Sequence, residues 1–425
     1  MLRQPVIATL LGAVLALGLA LRPSHSGEPV PAGPAFVVHA DSAGPQAFPA
    51  VALRDSGRFM VVWNRLEPLG PVFGRLFDAT DQPVAKEFLL DAGDNVRQLS
   101  PAIALGAEGG FVATWSNYEA TASGGEFRVW ARRFDAGAAP LAPGFEVSQG
   151  TFNQLPSIAS DGQGNFVIAW AGVDGHYSGI RARRYDAGGN ALGDDFLVNA
   201  MTTGQQDWPE VAANAAGQFV VIWHDDYAAY PSPSVQARRY DADGEPLGAE
   251  IEVGTPAVGG QSKPAVAMDA AGGFVVVWSS LRSAYDHDVL ARRFDGDGQP
   301  VGPEFEVSTN LRASQVGPRI RMDGSGEFVV VWTRQGPGYL PSAVMVQRFD
   351  AGANRLGGEL EVQAPATVAQ FLPELGVDTE GGFVVAWMND PGSWEFDVLA
   401  RRFKVPFFSD GFETGDTSAW AVAVP

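Results

Sequence analysis

The chain has 425 residues, no cysteine, 46% apolar residues and a formal net charge of −20. The lack of cysteine excludes disulfides, structural cysteine–zinc sites and cysteine nucleophiles. The acidic charge argues against a nucleic acid or an anionic membrane as partner, because both are bound through basic surfaces. The 51 glycines and 30 prolines predict many turns and few long helices.

The N-terminal residues 1–26 have the pattern of a secretory signal peptide. Arg3 provides a basic start, residues 6–21 form an apolar stretch that is short for a membrane span, and small serines precede residue 27. An N-terminal membrane anchor is the alternative. Residues 27–34 are expected to form a linker, and no later segment is apolar enough to span a bilayer.

A repeat of about 54 residues covers most of the chain. Each copy has a tryptophan that follows a phenylalanine by four residues, a glycine by six and a proline by fourteen. The tryptophans are Trp63, Trp115, Trp170, Trp223, Trp278, Trp332 and Trp387. The prolines are Pro49, Pro101, Pro156, Pro209, Pro264, Pro318 and Pro373. Seven copies with the same offsets indicate a repeat architecture.

The fifth copy shows how one repeat divides into strands. Residues 264–268 alternate as a short strand A, and residues 274–278, strand B, are apolar on both faces, as in a fully buried strand. Strand C covers residues 289–294, and strand D covers residues 304–308 with polar residues at alternate positions. Four antiparallel strands per repeat match a propeller blade. The sequence therefore predicts an all-β fold, a seven-bladed β-propeller.

The two ends of the repeat array predict a closed ring. The seventh copy stops after strand C, at Phe403, and lacks a strand D. Residues 31–39, PAGPAFVVH, align with residues 300–308, PVGPEFEVS, which contain strand D of copy five. We expect the N-terminal strand to complete the last blade, so that residues 35–404 form the propeller without an exposed sheet edge.

The unit G-x-F-V-V-x-W, followed by A-R-R-F-D-x-x-G and G-x-E-F-x-V, is similar to repeats of large bacterial secreted and surface proteins of unassigned function. The chain resembles the seven-bladed β-propeller class, which implies a fold and no particular chemistry. The tail, residues 405–425, contains D-G-F-E-T-G-D-T-S-A-W and resembles a C-terminal motif of proteins exported by Gram-negative bacteria. That resemblance implies a sorting or attachment tag and a secreted, periplasmic or cell-surface location. A plain disordered terminus is the alternative.

The segments between strands B and C vary most in length, and variable loops on a rigid scaffold usually carry function. Seven aromatic residues lie in these B–C segments: Tyr118, Tyr177, Tyr227, Tyr230, Tyr285, Tyr339 and Trp394. Aromatic side chains on one rim suit stacking on sugar rings or contact with a protein partner. The alternative is that they cap the blades.

An amide side chain lies three residues before each strand-A proline: Gln46, Gln98, Asn153, Gln206, Gln261, Gln315 and Gln370. The chain enters the innermost strand there, so these amides are expected to ring the mouth of the central channel and to offer hydrogen bonds to a polar ligand. The structural alternative is that they satisfy backbone groups between the blades.

Blades three to five supply weak candidates for a metal site, because histidine and carboxylate are common metal ligands. The candidates are His176, His224, Asp225, Asp286 and His287. No tight ligand spacing accompanies them, and solvated polar loops are the alternative. Residues 241–244 and 295–298 carry a fragment of a calcium-loop pattern, but Asp-Gly is also a hairpin signal. We expect no cofactor, with calcium as the alternative.

Paired arginines recur on strand C, at Arg132–Arg133, Arg183–Arg184, Arg238–Arg239, Arg292–Arg293 and Arg401–Arg402. Cross-strand charge pairs are ordinary in sheets. The pattern predicts ion pairs with the strand-D acids Glu250, Glu304 and Glu359.

These features together indicate a monomeric, non-catalytic binding or scaffold module outside the cytoplasm. Its B–C face would hold a glycan, peptide or protein. The alternative is a hydrolase or lyase that uses the histidines and carboxylates of blades three to five as acid and base. Catalysis would require such repeat-breaking residues to meet within hydrogen-bond distance.

Overall fold

The computed structural model describes residues 27–41, 44–66, 70–91, 96–121, 124–150, 152–226, 233–255, 260–283, 286–310, 313–336, 342–364, 368–392 and 395–405. These residues form seven antiparallel sheets, each with four strands in the order A-B-C-D, and one sheet gains a fifth short strand. The predicted all-β, seven-bladed propeller is confirmed. None of the described residues forms a helix that could cross a bilayer.

The strands are named A to D from the channel outwards. Strands A are Gln46–Leu53, Arg97–Leu105, Gln154–Ser160, Gln205–Ala213, Gln261–Met268, Ser314–Met322 and Ala369–Val377. Strands B are Phe59–Arg65, Phe111–Thr121, Phe166–Val173, Phe219–Asp226, Phe274–Ser283, Phe328–Gln335 and Phe383–Asp390. Strands C are Val72–Phe77, Gly124–Phe134, Ser178–Tyr185, Ser234–Tyr240, Asp286–Phe294, Ser342–Phe349 and Asp397–Lys404.

Strands D of blades one to six are Phe88–Leu89, Phe145–Glu146, Phe196–Leu197, Ile251–Glu252, Phe305–Glu306 and Arg355–Glu361. Five of them have only two residues, so the outer edge of each of those blades is shorter than the alternating pattern predicts. A short outermost strand limits the edge that is open to pairing with another chain. The helical turn Ala107–Gly109 joins strands A and B of blade two.

The core lies between the blades and is supplied mainly by strand B. Phe59, Val61 and Trp63 pack against Val384 of blade seven, whereas Met60, on the opposite face of the strand, packs against blade two. The same division recurs around the molecule, with one apolar cluster at each of the seven blade interfaces. All seven repeat tryptophans are buried, and truncation of one to alanine should cost ~3–5 kcal/mol.

The N-terminal strand closes the ring. Phe36 pairs with Ala400 of the last strand C, in the register that pairs Phe305 with Ala291 in blade five. The ring of Phe36 lies 5.4 Å, centroid to centroid, from the ring of Phe77 in blade one. Residues Val30–Pro31 add the fifth strand of this sheet. The predicted completion of blade seven by the start of the chain is therefore confirmed.

The strand-C arginines join neighbouring blades, and the predicted pairing with strand-D acids is wrong. Arg292 Nη1 donates to the carbonyl of Val253 in the preceding blade at 2.9 Å, and Arg402 Nε donates to Asp81 Oδ1 in the following blade at 2.7 Å. Adjacent residues face opposite sides of a strand, so each member of a pair reaches a different neighbour. Backbone N–H groups of the preceding blade donate instead to the predicted acid partners Glu250, Glu304 and Glu359.

Candidate functional site at the channel mouth

Each strand A contains a bulge directly before its proline. The register between strands A and B shifts there in all seven blades. The residue before the proline has a φ between 50° and 62°. These seven residues, called the mouth ring below, are Phe48, Ser100, Leu155, Trp208, Lys263, Gly317 and Leu372. This backbone costs a residue with a side chain ~1–2 kcal/mol, and a bulge redirects the side chain that it carries.

The mouth ring lines a cavity of about 390 Å³ that is built from strands A of all seven blades. The cavity opens near the start of these strands, on the face that carries the D–A and B–C loops. Phe48 is 42% exposed and Trp208 is 46% exposed. These residues belong to blades one and four, so they lie on roughly opposite sides of a seven-membered ring. The size lies within the usual range for pockets that hold small ligands.

A second ring of side chains follows the prolines deeper in the channel: Ala50, Ala102, Ser157, Glu210, Ala265, Arg319 and Glu374. Arg319 Nε donates to Glu374 Oε1 at 2.6 Å, and Arg319 Nη2 lies 4.0 Å from Glu210 Oε1. The hydroxyl of Ser157 donates to Glu210 Oε2 at 2.9 Å. Burial opposes the charge of Arg319, but Glu374 and Glu210 outweigh it and raise the pKa of Arg319. Arg319 is therefore a cation held between two carboxylates.

A third ring, two residues deeper, consists of Ala52, Ala104, Ala159, Ala212, Ala267, Arg321 and Gly376. Arg321 is the one large side chain of this ring, and its Nη1 donates to the carbonyl of Ile320 at 2.9 Å. No described carboxylate lies within ion-pair distance of Arg321 or of Lys263 in the mouth ring. Burial and the nearby Arg319 lower the pKa of Lys263. The channel thus contains cations that are not directly paired.

Gly317 leaves a notch in the mouth ring at blade six. A Cβ atom placed on Gly317 would have Lys263 Cδ, at 4.0 Å, as its one neighbour within 4 Å. Every other blade carries a side chain at this position. The notch therefore gives access to the side of Lys263 and to Arg319 and Arg321, which lie deeper on the same strand.

The seven predicted amides lie inside the blades and do not line the cavity. Each is at most 2% exposed. Some accept the indole N–H of the repeat tryptophan, as Gln46 does from Trp63 at 2.8 Å. Others accept a backbone N–H of the preceding blade, as Gln98 does from Val72 at 2.7 Å. This geometry corresponds to the structural alternative, and we leave the amides out of the site.

Two of the predicted B–C aromatics are among the described residues, and neither lines the cavity. Tyr118 packs on Phe127, its cross-strand partner, with ring centroids 4.8 Å apart. Tyr177 is 61% exposed on the B–C loop of blade three. The other candidates, Tyr227, Tyr230, Tyr285, Tyr339 and Trp394, lie outside the described residues.

The weak metal candidates use separate local partners. Asp225 is buried and accepts from Gln206 Nε2 at 3.2 Å, and burial raises the pKa of Asp225. Ser283 Oγ donates to Asp286 at 3.1 Å, while Ser314 contacts His287. Burial lowers the pKa values of two candidates, His224 and His287. His176 is exposed. Across the described ranges, no three histidine or carboxylate side chains form a group that could hold a metal ion.

The aspartates of the calcium-like turns serve their own backbone. Asp241 Oδ1 accepts the N–H groups of Asp243 and Glu245, and Asp295 Oδ1 accepts the equivalent pair in blade five. Such hydrogen bonds are the ordinary way in which aspartate stabilises a turn. These turns therefore need no bound ion to be formed.

The channel residues were not predicted from the sequence, although a signal for them is present. When the copies are aligned on the strand-A proline, the residue after it is alanine or serine in four copies. The same position is charged in the other three, as Glu210, Arg319 and Glu374. Charged residues that break a repeat are candidates for function.

Comparison with known proteins shows similarity in fold alone. It is similar to a protein of unknown function from Dyadobacter fermentans DSM 18053, with 10% identity, 90% of this chain and 100% of that chain covered, and a TM-score of 0.57. It is also similar to the polysaccharide lyase Uly1, with 10% identity, 83% and 89% of the two chains covered, and a TM-score of 0.54.

An ulvan lyase of a new polysaccharide lyase family, bound to -[GlcA(1-4)Rha3S]-, is 11% identical over 86% of this chain and 95% of that chain, with a TM-score of 0.54. No family model and no curated protein matches the chain.

Proposed function

We propose that this chain is an exported binding propeller that holds part of a glycan at the mouth of its central channel. The observation that carries the proposal is Trp208, an exposed indole that a strained bulge directs into the cavity. Strain of this kind clusters at functional sites, where it presents a side chain in a fixed position. Location outside the cytoplasm rests on the signal-like N-terminus and the export-associated tail motif.

The chemistry of the mouth suits a sugar. An indole or phenyl face packs against the apolar C–H face of a pyranose ring, and Trp208 and Phe48 supply such faces on two sides of the mouth. Charged and hydroxyl side chains lie below them, which fits a pocket with apolar walls and a few polar groups that orient the ligand. The mouth replaces the predicted B–C aromatics as the proposed site, on the same face of the propeller.

Binding and cleavage are distinguished by the fate of the glycan. Polysaccharide lyases are among the propellers of similar fold, which makes acidic and neutral polysaccharides suitable probes. A binding module leaves the chain length of the polysaccharide unchanged, whereas the alternative, a hydrolase or lyase, releases fragments with new ends. Size-exclusion chromatography of the polysaccharide after incubation with the purified protein separates the two.

The test is a glycan array followed by calorimetric titration of oligosaccharides that bind. We expect Trp208→Ala to weaken binding at least tenfold, which corresponds to a loss of ~1.4 kcal/mol. Tyr177→Ala is the matched control, because it removes a more exposed aromatic from the same face, outside the cavity. If Tyr177→Ala abolishes binding and Trp208→Ala does not, the site lies on the B–C loops and the channel proposal is wrong.

A further inference from the structure

We propose that the glycan bound at the channel mouth carries an anionic group, a carboxylate or a sulfate ester, and that Lys263 recognises it. This inference rests on the proposed function and names the class of sugar. It is carried by three features of the cavity: its balance of charge, the position of Lys263 beside Trp208, and the notch at Gly317.

Five charged residues line the cavity, three cations and two glutamates. Arg319 contacts both Glu210 and Glu374, whereas Arg321 lies deeper and donates to the carbonyl of Ile320. Of the two cations that no described carboxylate pairs with, Lys263 is the one at the mouth, in a chain whose net charge is −20. Lys263 is exposed at the mouth, so a ligand anion can reach its ammonium group and accept a charge-assisted hydrogen bond.

The order of the blades places this cation where a stacked sugar would present its substituents. Trp208, Lys263 and Gly317 belong to blades four, five and six, so they are consecutive members of the mouth ring. A pyranose ring packed on Trp208 therefore has Lys263 beside it. The notch at Gly317 leaves space next to the Lys263 side chain, and an anionic substituent can enter there.

The carboxylates deeper in the channel restrict the anion to this position. Glu210 and Glu374 lie in the ring below and already occupy Arg319, which leaves this cation less available to a ligand anion. Their contacts with Arg319 hold them in place, at 2.6 Å for Glu374 and 4.0 Å for Glu210. The geometry therefore points to Lys263, and not Arg319, as the residue that contacts the anionic group.

The test compares trigalacturonate with its methyl ester, which has the same shape without the charge, and with a sulfated galactose disaccharide. Calorimetric titration of the wild-type protein should show at least about tenfold tighter binding of the acid than of the ester. This difference in affinity corresponds to the free energy of one charge-assisted hydrogen bond. Lys263→Met should remove this difference while ester binding persists. Lys86→Met, which removes an exposed lysine outside the cavity, should leave the difference unchanged.

Gly317→Leu gives a second test that leaves every charge in place. Leu155 and Leu372 adopt the same positive φ in other blades, so leucine is compatible with this backbone. Filling the notch should weaken the binding of trigalacturonate at least about tenfold. It should not lower the melting temperature of the protein by more than a few degrees.

The outcomes separate this inference from the proposed function. Equal binding of the acid and the ester by the wild-type protein would overturn the anion inference and leave glycan binding intact. Failure of all three probes to bind, together with a glycan array that yields no ligand, would overturn both. Tight binding of the sulfated disaccharide, lost in Lys263→Met, would support recognition of anionic sugars of both kinds. Loss of that binding in Lys86→Met alone would contradict the assignment of Lys263.

Discussion

The ring is closed at one place, where the strand that contains Phe36 completes blade seven without a covalent link. The packing of Phe36 at this junction leads to a specific prediction. The ring of Phe36 lies 5.4 Å from Phe77 and 6.4 Å from Phe59, both in blade one. Phe305 occupies the equivalent strand of blade five, with its ring 5.8 Å from Phe349 in blade six. Both residues are half-buried, so truncation of either to alanine should remove a similar packing energy, ~1.5–3 kcal/mol.

The consequence should nevertheless differ between the two sites. Strand D of blade five continues through the chain from its own strand C and into blade six. Residues Phe36–Val37 join blade seven by non-covalent contacts, which include pairing with Ala400 and Leu399, and their chain continues into blade one. Phe36→Ala should therefore allow this strand to detach locally, whereas Phe305→Ala should lower only the stability of the whole ring.

Hydrogen–deuterium exchange measures the difference directly. In Phe36→Ala, the amides of strand C of blade seven, Asp397–Lys404, should exchange ~10–100-fold faster, because each 1.4 kcal/mol is a factor of ten. In Phe305→Ala, the matching strand, Asp286–Phe294, should change much less under native conditions. Equal acceleration in the two variants, or unchanged exchange at Asp397–Lys404 in Phe36→Ala, would refute the reasoning.

Two further predictions concern charge and pH. Arg319→Met leaves Glu210 and Glu374 without their shared cation and should lower the free energy of unfolding by ~3 kcal/mol at pH 7. The variant should regain part of this loss as the pH falls towards 5.5, because folding then favours protonated carboxylates. Urea unfolding of Arg319→Met and Arg319→Met/Glu374→Gln checks both statements, and a loss that is independent of pH would contradict them. Burial lowers the pKa of His224 below its usual 6.5, so the unfolded chain binds the proton first and wild-type stability falls as the pH drops through this value. His224→Gln should show a shallower fall in urea midpoints, and an unchanged slope would count against this role of His224.

The blades and their closure were predictable because the residues that define the repeat are the buried ones. The phenylalanine and tryptophan of strand B flank an apolar residue at period two in every copy, as Phe59, Val61 and Trp63 do, and that period determines which neighbour each side chain faces. The closing strand was recognisable because Phe36 aligns with Phe305 in both sequence and pairing register.

The bulges of the mouth ring were not predictable from local sequence rules. Phe48 and Trp208 adopt positive φ values that these rules assign to glycine, and the residue before a proline is normally extended. Tertiary packing around the channel overrides these preferences. Variable loop length indicates the B–C aromatics as a site, whereas the cavity is built by strands of nearly constant length.

The prediction of partners for the arginine pairs was wrong for a related reason. Opposite charges on adjacent strands suggest a pair within one blade, but Arg292 and Arg402 reach the backbone or an acid of the neighbouring blades. The contacts between blades depend on how the sheets are stacked, and a pattern within one repeat does not contain that information.

A crystal structure of the protein with trigalacturonate shows directly whether the channel mouth binds the sugar. We expect a sugar ring against the indole of Trp208, with its carboxylate at the ammonium group of Lys263 beside Gly317. A trisaccharide bound on the B–C loops, or on the outer faces of the blades with the channel mouth empty, would contradict it.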